Sequence, residues 1–146
     1  MTWFDIMGTI AKLIKLEEFT VETCARVLEC KFKSTGSNRY RSGELQDPFE
    51  YAELIPGSSK AILTLTLQET AAREEYAMRI IGLGKPIDID IVSPPIAGES
   101  APKSSRGWDR NYSLCYEIGD HLVWFEIEEI NSKKKLVSAS LERSLS

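Results

Sequence analysis

The hydrophobic period of this chain changes near residue 49, and that change limits what it can fold into. Upstream, residues 3–16 place Trp3, Ile6, Met7, Ile10, Leu13 and Ile14 at i, i+3, i+4 and i+7 spacings. That spacing lines one broad apolar face of a helix. Such a face docks on the chain's own sheet or lies at a membrane surface, and the lack of a strongly basic polar face favours the sheet. Thr2 and Asp5 suit its start, and Lys12 and Lys15 suit its negative end. A second helix follows Thr20, with Val21, Cys24, Val27 and Leu28 as its stripe. From residue 49 onward the period is two. FEYAELI and AILTLTLQ flank the turn Pro56-Gly57-Ser58-Ser59 as a hairpin, with Leu63, Leu65 and Leu67 on one face.

Residues 70–81, TAAREEYAMRII, fit a short helix with Tyr76, Ala77, Ile80 and Ile81 inward and Gly82 or Gly84 ending it. A strand with Tyr76, Met78 and Ile80 on one side fits the same run. PIDIDIV alternates cleanly over residues 86–92, and residues 93–111 form a Pro-rich loop. NYSLCYEI and HLVWFEIEE then flank Gly119-Asp120, a two-residue hairpin turn. Tyr112, Leu114, Tyr116 and Ile118 share one face, and Val123, Phe125 and Ile127 share another. KKLVSASLE closes the sheet through Val137, Ala139 and Leu141. Helices followed by hairpin-linked strands describe an α+β domain, its N-terminal helices packed on one face of a mostly antiparallel β-sheet. With 146 residues and neither a repeat nor a linker, a single domain over 1–146 is expected. It is helical over 3–30 and mainly β over 49–141.

The charge balance narrows the partners. Eighteen Lys and Arg against 22 Asp and Glu argue against general nucleic-acid coating and against attraction to anionic membranes. The segment KFKSTGSNRYRSG, residues 31–43, interleaves four basic residues with Phe32 and Tyr40, but its Gly and Asn content reads as a solvated loop or hairpin. No run of 18 apolar residues is present to span a bilayer, and the N-terminus lacks a charged region before an apolar stretch. Cys24, Cys30 and Cys115 have no metal-ligand spacing, and they read as buried free thiols of a reducing compartment. A cytoplasmic location, with no metal and no cofactor, is expected.

The residue types that carry catalysis do not assemble along the chain. His121 is the only histidine and sits at a strand start after the Gly-Asp turn, where surface or hairpin packing is expected. A Cys115–His121 pairing across that hairpin is a bare geometric option. Gly82-Leu83-Gly84 lacks the following helix of a phosphate loop, since Pro86 and a strand follow. Asp88 and Asp90 share one strand face, where either half-exposed alternation or paired carboxylate chemistry would place them. The stretch 117–129 holds Glu117, Asp120, Glu126, Glu128 and Glu129 with no Lys or Arg. On its strand, Trp124, Glu126 and Glu128 lie opposite Val123, Phe125 and Ile127. Two arrangements follow: Trp124 is presented beside two carboxylates as an interface anchor, or it is packed under the long loop or a second layer. Trp108 carries the same pair of readings.

The succession VLECKF, a tyrosine-containing strand, a leucine-rich strand, IIGLGKPIDIDIVSPP, YSLCYEIGDHLVWFEIEEI and KKLVSASL resembles small immunity proteins of bacterial polymorphic toxin systems over most of residues 20–141. This chain differs in Leu83 within Gly82-Leu83-Gly84 and in its extra N-terminal apolar helix. The resemblance implies a non-enzymatic cytoplasmic inhibitor whose partner is one cognate toxin domain, often a nuclease. Carboxylates would suit a basic nuclease by standing in for phosphates and steering the encounter. On the surface logic of this sequence, the partner-binding residues are Trp124, Glu126, Glu128, Asp88, Asp90 and Trp108. Two other classes compete. One is an acidic secretion chaperone dimerising through residues 70–81. The other is a cone-shaped α+β domain holding a small apolar ligand or running simple acid/base chemistry.

Overall fold

The computed structural model describes residues 3–69, 71–82 and 109–145, with backbone alone at 3–5, 109–112 and 130. The expectations for the strand 86–92, for Thr2 and for most of the Pro-rich loop lie outside these residues. Among the described residues there are three helices: α1 (Trp3–Ile14), α2 (Val21–Leu28) and α3 (Arg73–Ile81). The same residues hold seven strands, with α3 between the fourth and fifth: β1 (Lys33–Gly36), β2 (Arg39–Ser42), β3 (Phe49–Pro56), β4 (Lys60–Leu67), β5 (Asp109–Ile118), β6 (His121–Ile130) and β7 (Lys133–Ser144). They make one antiparallel sheet in the order β1-β2-β3-β4-β7-β6-β5. The expected α+β class is therefore the observed one.

Local chemistry explains the boundaries. Thr20 caps α2: its hydroxyl accepts from the Thr23 N–H, and the Thr23 hydroxyl accepts from the Thr20 N–H at 2.9 Å. Two first-turn donors are thereby satisfied. The basic segment 31–43 folds as the β1–β2 hairpin, with Asn38 in the left-handed region at φ 57°. At the β3–β4 turn the Gly57 N–H donates to the Lys60 carbonyl, and a Cβ on Gly57 would run into that same oxygen. Gly119 at φ 61° makes the tight β5–β6 turn. β5 already begins at Asp109, so residues 109–111 are strand and not loop.

One face of the sheet and the three helices share a continuous apolar core. Ile6, Ile10 and Leu13 of α1, Cys24 and Leu28 of α2, and Tyr76, Ala77 and Ile80 of α3 enter it. From the sheet come Ala52 and Leu54, Leu63 and Leu65, Ala139 and Leu141, and Val123 and Phe125, in matching cross-strand register. The apolar face of α1 thus belongs to its own chain's core.

Two expectations change. Ile81 is not inward: it joins Met78 on the exposed side of α3, because the helix turns it a further 100° past Ile80. Val137 is not a core residue either. The pairing of β6 with β7 slips between Glu126 and Ile127, so that Glu126 faces Ser138 while Ile127 faces Leu136. Val137 is the extra residue of this bulge, and Leu136 takes the buried place. β7 also lies in the interior of the sheet, between β4 and β6, and does not close an edge.

Candidate functional site

The sheet has two distinct ends. At one, β4 passes through residues 68–72 into α3, and β6 turns into β7 at Asn131-Ser132. At this end a hollow of about 840 Å³ opens on the face of the sheet that lies away from the core. Its floor includes Tyr51 and Thr66, which are cross-strand partners on β3 and β4. Glu50 enters because the β3–β4 pairing shifts between Phe49 and Tyr51, turning Phe49 into the core and leaving Glu50 exposed. Glu69 comes from the connection, and Glu74 and Glu75 from the first turn of α3, where the positive helix end favours carboxylates. The far wall is the cross-strand pair Glu128 and Lys135.

Among the described residues, five glutamates line this groove against the cations Arg73 and Lys135, with Arg41 stacked on its Tyr51 wall. Glu75 also receives Arg79 at 3.3 Å across one helical turn, a solvent-exposed pair. The Tyr51 ring carries the Arg41 guanidinium 4.1 Å from its centroid, so an aromatic face of the groove already accepts a planar cation. Among the described residues no three His, Cys, Asp or Glu side chains converge to hold a metal ion. What the described residues of the groove offer is a concave, negatively charged surface whose Tyr51 ring is already stacked by Arg41. Such a surface suits the Lys and Arg side chains of a partner.

Of the residues singled out from the sequence, Glu128 lines the groove. Glu126, two residues upstream on the same outer face, is half-buried, and its Oε2 accepts the Ser138 hydroxyl at 3.2 Å. Trp124 is not presented to a partner. It is only 1% exposed, between Cys115 and Ser140 on the outer face, and this sheet face is buried at Ser138 and Ser140 as well. Asp88, Asp90 and Trp108 lie outside the described residues. Glu50, Glu69, Glu74 and Glu75 join Glu128 from separate elements, and no spacing in the sequence groups them. The Glu74-Glu75 pair reads in sequence as an ordinary helix start, and nothing local brings it beside Glu128.

The β5–β6 hairpin separates the one thiol and imidazole that it brings near in sequence. Cys115 pairs with Trp124 on the outer face, whereas His121 faces the core with Val123. Burial pushes the Cys115 thiol up to about 11, with Glu142 and Glu117 adding to the effect. Desolvation pulls the His121 imidazole below its ordinary range, helped by Arg143. Cys24 and Cys115 are buried and Cys30 is half-buried, all three as free thiols. No helix among the described residues is long and apolar enough to cross a membrane. Comparison of the chain with protein-family models, with curated proteins and with solved structures finds no match.

Proposed function

We propose that this chain is a non-enzymatic immunity protein of the cytoplasm that binds and neutralises one bacterial toxin domain through its acidic groove. The observation that carries the reading is the convergence of Glu50, Glu69, Glu74, Glu75 and Glu128 around a hollow of about 840 Å³. A nuclease or other toxin acting on a polyanion presents cations at its active site. Carboxylates arranged on a concave rigid surface compete for those cations and accelerate the encounter. The sheet supplies the rigidity, since β3, β4, β6 and β7 are all anchored in the core on their opposite face.

The test is co-expression of the chain with each toxin C-terminal domain encoded in its own genome, scored by growth of the host. One toxin domain is expected to be neutralised, and the Glu75→Lys/Glu128→Lys double variant is expected to lose that protection while circular dichroism shows the fold retained. Protection that survives the double reversal, or neutralisation of none of the toxins, overturns the proposal.

A further inference from the structure

At the opposite end of the sheet from the groove, an imidazole is buried without a hydrogen-bonding role. His121 is 4% exposed, and neither Nδ1 nor Nε2 has a partner among the described residues. Its cross-strand neighbour is Arg143 of β7. The Arg143 guanidinium reaches past the sheet to the chain between α1 and α2, donating to the Leu16 carbonyl and, at 2.7 Å, to the Glu17 carbonyl. Phe19 of the same connection covers both side chains. Its ring centroid lies 6.3 Å from that of His121, and the Arg143 guanidinium carbon is 5.9 Å from it. Ile14, at the end of α1, sits against Gly119 of the adjoining turn.

We infer that His121 and Arg143 form an acid-released latch: the neutral imidazole lets Phe19 and residues 15–20 close over the sheet end, and its protonation frees them. The neutral ring packs as an aromatic hydrocarbon under Phe19. Once protonated, it would be a second buried cation beside Arg143, with no acceptor among the described residues in contact to share the charge. Among the described residues, the charged and titratable groups around it are few. Arg143 of β7 opposes the proton, and Asp120 of the β5–β6 turn favours it from an exposed position where water screens it. Glu17 and Glu18 of the connection are exposed, and the Cys24 thiol of α2, which senses Arg143, is held protonated by burial. The least costly escape for an imidazolium is to reach water by displacing the connection, because β6 itself is held by strands on both sides.

The sign follows from linkage. The folded state disfavours the imidazolium, so the open form binds more protons below the ordinary value of 6.5. Closure is therefore fully favoured above 6.5 and weakens as the pH falls below it, until the folded group itself titrates. With a closed form that stays neutral, opening at pH 5.5 is about tenfold more populated than at pH 8.

Because His121 is the only histidine, its ring C–H proton resonances report its titration in the unaltered full-length chain. The expected result is a midpoint below 6.5, together with faster amide exchange at residues 15–20 as the pH falls from 8 to 5.5. After correction for intrinsic rates, that acceleration should be up to about tenfold, with exchange in β3 and β4 unchanged. His121→Phe, or His121→Gln should the first variant not fold, is expected to flatten this pH dependence. A midpoint at or above 6.5, an unchanged exchange rate at 15–20, or equal acceleration across the whole sheet overturns the inference. The first two measurements need no variant.

Discussion

The hydroxyl of Tyr116 on β5 donates to the carbonyl oxygen of Ile80 in the last turn of α3, 2.9 Å away. This bond ties the C-terminal end of α3 to an outer strand of the sheet, while the same ring meets Phe125 edge-on at 5.9 Å between centroids. Helix ends leave carbonyls without intrahelical partners, and here a side chain 36 residues away supplies one. Tyr116→Phe keeps the ring packing and removes only this donor. It is expected to cost about 1 kcal/mol in urea unfolding and to speed exchange at the α3 C-terminal amides, with the rest of the fold unaffected.

The bulge at Val137 makes a sharper demand on stability measurements. Leu136 is fully buried opposite Ile127, and its neighbour Val137 is the unpaired extra residue on the groove side. Leu136→Ala is expected to lose about 2–5 kcal/mol, as large-to-small core changes do. Val137→Ala should stay within about 1 kcal/mol of the parent. Simple alternation through Ala139 and Leu141 assigns the two costs the other way round, so chemical unfolding of both variants decides the register.

That reversal shows what was legible in the residues and what was not. Leu63, Leu65 and Leu67 announce their face because β4 runs without irregularity, and period two is a local property. A bulge shifts the period by one residue without any special residue type, so Val137 is misread. The interior place of β7 is set by pairing with β4 and β6, which is nonlocal and leaves no trace in the segment itself. The groove was hidden for the same reason. Its carboxylates come from β3, the β4–α3 connection, α3 and β6, and only the folded sheet brings Glu50 and Glu75 near Glu128. The burial of Trp124 needed knowledge of the outer face, whereas α2 was readable from Thr20 and its stripe.

The thiols should separate by reactivity. Burial pushes Cys24 up to about 12 and Cys115 up to about 11, and both are fully shielded. Cys30 is also raised by burial but is half-exposed beyond the α2 cap. Raised values leave the thiol protonated and unreactive at pH 8. A colorimetric disulfide reagent on the native protein at pH 8 is expected to modify Cys30 first, with Cys115 and Cys24 reacting only after denaturant is added. Peptide mass mapping identifies the modified residue.

Trp124→Ala is expected to act on the fold and not on a contact surface. Removing a large side chain that is 1% exposed should cost about 3–5 kcal/mol, enough to lower the melting temperature steeply. Thermal unfolding followed by circular dichroism checks this. A variant as stable as the parent would mean that Trp124 is free of the packing found between Cys115 and Ser140.

Glu126 and Glu128 differ by two positions on one strand face, yet they should behave differently. Glu126 is engaged by the Ser138 hydroxyl in a half-buried setting, so Glu126→Gln alters a hydrogen bond within the sheet. Glu128 stands on the groove wall opposite Glu74 and Glu75, with Lys135 as its cross-strand neighbour. Reversal at Glu128 changes the field a basic partner meets and leaves the core untouched. With the neutralised toxin in hand, stopped-flow mixing is expected to show a slower association rate for Glu128→Lys and a weaker dependence on salt, since both effects arise from steering charges. Glu126→Gln should leave the association rate near that of the parent and show its effect in thermal stability instead. Equal loss of association rate in the two variants would place the contact along the whole of β6 and take the groove out of the mechanism.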